Sequence, residues 1–316
     1  MRNENEFLWC EKYRPSKIED CVLSPELKST FLGIRDGGQL HNLLLTGSAG
    51  LGKTTVAKAL CTELGLDFIM INGSEESGID VLRNKIRQFA SSVSLQANGP
   101  KVIILDEADY LNPQSTQPAL RGFIEEYSSN CRFILTCNFK NRIIEPLHSR
   151  CAVISFDITK PQIPELCVAF HKRLVTIMKT ENVQFDTKAV IHVISKFAPD
   201  WRRVINECQR YAASGGIIDA GILVSTDPQL ESLMKILKEK NFKGMRGWVA
   251  DIGSSSDNST IFRQIYDSIA TYAKPESLPR VVLILADYQY KDAFVADHEL
   301  NLSACLTEIM AETLWK

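Results

Sequence analysis

Short, nearly unbroken apolar runs alternate with helix-spaced segments through the first half of the chain. The runs are HNLLLTG (41–47), DFIMING (67–73), KVIILDEAD (101–109), RFILTCN (132–138) and AVISFD (152–157). Apolar runs without polar alternation predict parallel strands covered on both faces. Between them, TTVAKALCTEL (54–64), VLRNKIRQFASS (81–92) and TQPALRGFIEEYSS (116–129) have helical length and spacing. The strand pattern stops at Asp157. Three helical segments follow at 163–182, 187–198 and 201–213, and Ser214-Gly215-Gly216 breaks the run. A second helical region extends from about Asp227 to the end, with Ile261, Ile265 and Ile269 marking one helix face. The expected organisation is an α/β module over residues 1–157, a small helical domain over 158–224 and an all-helical domain over 225–316.

Composition narrows the class without deciding it. The chain has 316 residues, 45% hydrophobic and 23% charged, with a formal charge of −2. These are values for a globular protein whose overall field attracts no polyanion, so any nucleic-acid contact has to come from a local basic face. Nine cysteines include no Cys-x-x-Cys pair and no histidine cluster lies near them, which argues against zinc. Cys131, Cys137 and Cys151 fall in apolar surroundings that suit buried, reduced thiols. No apolar run has signal or membrane-spanning length, so a cytoplasmic protein without membrane contact is expected.

The chemistry is carried by a few motifs. Gly47-Ser48-Ala49-Gly50-Leu51-Gly52-Lys53-Thr54 fits G-x-x-x-x-G-K-[ST] between a strand and a helix. A glycine-rich turn before an ordinary helix is the bland alternative, and the strand–helix context counts against it. In a phosphate loop the glycines let backbone N–H groups face phosphate oxygens, and the helix adds its positive end. Lys53 is then expected to reach the β- and γ-phosphates of ATP, and Thr54 to ligate Mg²⁺. Lys101–Asp106 leads into D-E-A-D, with Asp106 placed for Mg²⁺ and Glu107 as the candidate base for water attack. Beside a phosphate loop this outweighs a merely solvated acidic turn. The D-E-A-D spelling invites a helicase reading, but no second α/β lobe follows. Asn138 closes a strand beside the phosphate loop and is a candidate for orienting water, although Asn often ends strands. Arg150, before the last strand, is a candidate arginine finger acting on a neighbouring subunit, the alternative being a solvated arginine. Asp200 is placed to cap a helix whose first turn carries Arg202, a candidate to reach back over the phosphates.

Together these residues resemble the clamp-loader branch of the AAA+ family, in its phage form and in replication factor C small subunits. Glu11-Lys12-Tyr13-Arg14-Pro15, Asn72–Asp80, Glu125–Asn130 and Ser149-Arg150-Cys151 carry the likeness, joined by 218–223 and the terminal Trp315-Lys316. The resemblance implies a P-loop AAA+ ATPase module with a helical lid and an all-α C-terminal collar. It implies an adenine site at Glu11, Lys12, Tyr13 and Val22, and a phosphate loop over Gly50, Leu51, Gly52, Lys53, Thr54 and Thr55. Asn138 and Arg202 take the two sensor positions, and Arg150 that of the trans-acting finger. Implied partners are a sliding clamp, primer–template DNA, a smaller loader subunit and copies of this chain, four with one small subunit. Ser77 departs from the family, many members of which carry a basic residue there facing DNA. Arg83 and Arg87, four apart on one helix, are the candidates to replace that charge. Another AAA+ remodeller or helicase loader, or a non-hydrolysing scaffold, are the competing readings.

Overall fold

The computed structural model describes residues 7–76, 78–92, 99–213, 217–219, 228–252 and 258–316. The chain forms two compact units, Met1–Ile222 and Leu223–Lys316. The expected division after residue 157 falls inside the first of them.

The five apolar runs of the first unit form one parallel sheet: β1 (Leu43–Thr46), β2 (Phe68–Asn72), β3 (Lys101–Asp106), β4 (Cys131–Cys137) and β5 (Ala152–Ser155), in the order β2-β3-β4-β1-β5. Because the strands are parallel, every C-terminal end lies along one edge, where α/β sheets collect their ligands. Alternate side chains go to opposite faces. Leu44, Ile103, Leu105, Phe133 and Leu135 pack with the helices Ile79–Ser91 and Thr116–Glu126. Leu43, Leu45, Val102, Ile104 and Ile134 pack instead against Phe31, Val56 and Leu60, from the helices Pro25–Gly37 and Lys53–Glu63.

Coverage on both faces holds for β1, β3 and β4 but not for the outer strands. Met70 of β2 is 43% exposed and Val153 of β5 is 38% exposed. Each outer strand pairs on one side only, and an apolar run does not reveal where in the sheet it will sit. The helix Pro25–Gly37 goes beyond the pattern read from the chain. Its signals are nonetheless local: Ser24 Oγ accepts from Leu27 N–H at 3.3 Å, Pro25 opens the helix, and Gly38 ends it at φ 65°.

After β5 come the helices Ile163–Thr180, Thr187–Phe197 and Trp201–Ala213, within two residues of expectation at each end. Asp200 caps the third as expected, its Oδ1 accepting from Arg203 N–H at 3.0 Å. The described residues of the second unit form the α-helices Pro228–Lys238, Phe242–Ile252, Asn258–Tyr272, Leu278–Asp292 and His298–Glu312, with an isolated bridge between Ala273 and Trp315. Ile261, Ile265 and Ile269 lie in its core as their spacing required. No described helix is long and apolar enough to cross a membrane. All nine cysteines are free, and seven are buried.

Candidate nucleotide site

The phosphate loop is shaped by backbone. After Thr46, Gly47, Gly50 and Gly52 take φ of 139°, 80° and 89°, conformations that side chains rarely adopt. At Gly50 space is as restrictive as angle, since a Cβ there would lie 2.0 Å from Asp200 Oδ1. The start of the third lid helix therefore rests directly on the loop.

Lys53 is 7% exposed. Its ammonium donates to the carbonyls of Gly47 (2.6 Å) and Ser48 (2.8 Å) and to Asn138 Oδ1 (2.8 Å). Burial lowers its pKa, against the upward pull of Cys137, Asp106 and Asp109. Asp106, at the end of β3, accepts through Oδ1 from Thr54 Oγ1 (2.7 Å) and Thr136 Oγ1 (2.5 Å). A hydroxyl and a carboxylate oxygen so placed are hard donors that fit Mg²⁺.

Glu107 lies at φ 54°, ψ 44°, in the left-handed region. That conformation costs a residue with a side chain about 1–2 kcal/mol, so its neighbours must hold it there. Its N–H donates to Thr136 Oγ1 at 3.1 Å. Gly73, just past β2, packs against it from the other side and donates its own N–H to Asp106 O at 2.7 Å. A Cβ on Gly73 would lie 2.6 Å from Glu107 O. Asn138 is fixed by Asp109, whose Oδ2 accepts from the N–H groups of Asn138 (3.2 Å) and Phe139 (3.1 Å).

One pocket joins these groups. Residues 49–56, Asp106, Glu107 and Asn138 line its phosphate end, with Arg202 among the lining residues. Tyr13 and Val22 line it beside Cys10, and so do Phe170 and Trp201, whose rings stack at 4.6 Å. Glu11 and Lys12, which the resemblance placed with them, are not among the lining residues. Their side chains are drawn to other partners. Glu11 pairs with Arg14, whose guanidinium also donates to Thr55 Oγ1 at 2.9 Å. Burial works against the Glu11 carboxylate, but Arg14, Lys58 and Arg202 outweigh it and hold its pKa below the usual value. Lys12 donates to Glu181 Oε1 at 2.6 Å.

Arg150 stands apart from this pocket. It lies two residues before Ala152, which pairs with Leu43 at the start of β1, whereas the phosphate loop follows Thr46 at the other end. Its guanidinium donates to Glu125 Oε1 and to Pro146 O (2.8 Å) in its own chain. Arg83 and Arg87 also lie elsewhere, on the helix Ile79–Ser91. Arg83 donates to Asp80 Oδ1 at 3.4 Å, and Arg87 is exposed. Ser77 is outside the described residues.

Residues 43–157 match the ATPase family associated with various cellular activities (AAA). Residues 166–224 match the AAA+ ATPase lid domain of sliding-clamp-loader large subunits. Over 99% of both chains, the protein is 36% identical to the sliding-clamp-loader large subunit of Enterobacteria phage T4. The chain belongs to the sliding-clamp-loader family of AAA+ ATPases. It is also 34% identical to the replication factor C small subunit of Archaeoglobus fulgidus, over 96% of this chain and 97% of that one. Among solved structures, a Thermotoga maritima RuvB mutant shares the fold at a TM-score of 0.54 and 20% identity, over 71% of this chain and 79% of that one. Nucleotide binding and ATP hydrolysis come with membership of this family.

The motif reading assigned no role to Thr136, Asp109, Gly73 or Arg14, whose contacts are with other residues of the site. Gly73 offers the sharpest check. In Gly73→Ala a Cβ would lie 2.6 Å from Glu107 O, so one of the two backbones must give way, and if Glu107 is the base a misplacement of about 1 Å lowers the rate on the order of 10²-fold. Single-turnover hydrolysis should fall by that order while nucleotide affinity, read by calorimetry, stays close to wild type. Unchanged hydrolysis would show that Glu107 does not depend on Gly73.

Proposed function

We propose that this chain is the ATP-hydrolysing subunit of a sliding-clamp loader, with each active site completed by a neighbouring copy. The observation behind this reading is a divided catalytic set. Lys53, Thr54, Asp106, Glu107, Asn138 and Arg202 share one pocket, while Arg150 lies at the opposite edge of the sheet.

In this reading the phosphate-loop N–H groups and Lys53 bind the β- and γ-phosphates. Thr54 and Asp106 hold Mg²⁺, which when bound neutralises charge on the phosphate oxygens. Glu107 takes the proton of the attacking water, and Asn138 helps to orient that water. Arg202 reaches the phosphates from the lid, and Arg150 reaches those of the next subunit. Tyr13 and Val22 contact the base. ATP binding organises subunits that grip and open the clamp, primer–template DNA enters, and hydrolysis releases the closed clamp. The partners are the clamp, a smaller subunit and further copies of this chain, four with one small subunit, acting in the cytoplasm of a host cell. DNA approaches the helix that carries Arg83 and Arg87.

The deciding experiment measures ATP turnover of the assembled complex with clamp and primer–template DNA, separately and together. Strong joint stimulation is expected. A remodelling ATPase or helicase loader would not respond to the clamp, and a non-hydrolysing scaffold would not turn over.

Arg150→Ala tests the division of the site. The isolated variant should bind ATP as wild type does, and the assembled complex should lose about 10³–10⁵ in rate. Full turnover after assembly, or loss of binding in the isolated chain, contradicts the trans role.

For DNA, each lost phosphate contact lowers the log–log salt slope of binding by about 0.9. Arg83→Ala and Arg87→Ala should each show this in the assembled, ATP-bound complex. Slopes and DNA-stimulated turnover identical to wild type in both variants would remove these arginines from the interface.

A further inference from the structure

We propose that Gln209 and Glu181 are positioning residues that hold the N-terminal strap in place as the nucleoside-side wall of the pocket. The inference rests on the nucleotide reading of that pocket and goes beyond it, because neither residue lines the pocket itself.

The strap has little reason to hold its shape alone. Over its described residues 7–15 the helix is Trp9–Lys12, four residues with no side-chain cap, well short of what is stable in isolation. Yet Cys10, Tyr13, Arg14 and Pro15 all line the pocket. Their placement comes from helices far along the chain.

Gln209 is 9% exposed and reads the strap backbone with both ends of its amide. Nε2 donates to Phe7 O at 2.7 Å, and Oε1 accepts from Trp9 N–H at 2.8 Å. Only one orientation of the amide satisfies both bonds, so the contact is directional. Gln209 lies on the helix Trp201–Ala213, one turn beyond Ile205. Trp201, Arg202 and Ile205 of the same helix line the pocket. A single helix thus presents one end to the ligand and clamps the opposing wall with the other.

Glu181 fastens the far end of the strap. Its Oε1 accepts from Lys12 Nζ at 2.6 Å and from the Tyr13 hydroxyl. Burial raises its pKa, but hydrogen bonds from Lys12, Tyr13 and Trp9 prevail and hold the carboxyl below its usual value. Arg173, on the helix Ile163–Thr180, adds bonds to the carbonyls of Tyr13 (2.5 Å) and Asp20 (3.0 Å). None of these bonds reaches the phosphate end, which the strap touches through the Arg14 bond to Thr55 Oγ1. Its shape comes from the glycine turns and from the three oxygens that hold Lys53. Loss of the clamp should therefore weaken the grip on the nucleoside and spare the grip on the phosphates.

The test uses the full chain, with calorimetric affinities for Mg·ATP, Mg·ADP and Mg·tripolyphosphate, the last having no nucleoside. Gln209→Leu and Glu181→Leu should weaken ATP and ADP by equal factors, on the order of tenfold for a lost buried hydrogen bond. Tripolyphosphate should stay within about twofold, as expected where the altered group makes no contact with it. Nearly isosteric Gln209→Glu still accepts from Trp9 N–H but cannot donate to Phe7 O when ionised, and should show the same pattern with folding preserved. Glu181→Gln keeps the acceptor and should recover most of the affinity. In the assembled complex the rise in KM for ATP should exceed any fall in kcat. Unchanged ATP affinity in both Leu variants overturns the proposal, and so does a parallel loss for tripolyphosphate. Lys53→Ala serves as the separate control. If tripolyphosphate binds that variant as tightly as wild type, the phosphate-loop reading itself fails, whatever the Gln209 variants show.

Discussion

Lys53 brings a positive charge into a place that water hardly reaches, and a buried charge is tolerated only when partners surround it. Two backbone carbonyls and the Asn138 side chain meet that demand. They tie the turn after β1 to the tip of β4, its neighbour in the sheet. The same sheet edge carries Asp106 at the end of β3, where the Thr54 and Thr136 hydroxyls converge on a single carboxylate oxygen. Parallel pairing is the precondition. It brings the ends of strands separated by dozens of residues to one edge, and the buried ammonium then sets their spacing. The helix after β1 packs on one face of the sheet, while those after β2 and β3 pack on the other. The pocket therefore opens where the chain changes face.

Much of this was readable from the chain. The five strands and the helices between them followed from apolar runs and helical spacing, because central strands and packed helices must be apolar where they meet. The phosphate loop and D-E-A-D were readable because phosphate and metal chemistry demand particular residues at fixed local spacing. What escaped was distant pairing. Trp9 and Gln209 are 200 residues apart in sequence, and no local pattern announces that one amide will read the backbone around the other. Likewise the close approach of Gly73 to Glu107 exists only once β2 and β3 pair. Glu11 and Lys12 show the reverse case. A family signature placed them at the adenine site, whereas their side chains pair with Arg14 and Glu181 and are not among the residues that line the pocket.

Glu107 illustrates how strain and topology meet. Its left-handed backbone persists because Thr136 of β4 and Gly73, just past β2, hold it from two sides. β2 is the outermost strand on that side, exposed along part of its length, and the helix with Arg83 and Arg87 follows it. A push on this edge strand is thereby a push on the backbone of the candidate base, with few intervening groups to absorb it.

The position of Arg150 has a consequence for assembly. On the proposed role of Arg150, a pocket at one edge of the sheet and an arginine at the other that completes a neighbour's pocket would make contacts between copies heterologous, the arginine side of one meeting the pocket side of the next. Such an array has direction. Unless the rotation between subunits closes it into a ring, its two ends differ in kind: one chain offers an arginine with no pocket to enter, and another holds a pocket with no arginine to receive. An open assembly of identical chains is therefore chemically asymmetric. On that proposal the pocket left at its end would bind nucleotide without the means to turn it over, unless a different protein stands beside it and supplies the missing charge.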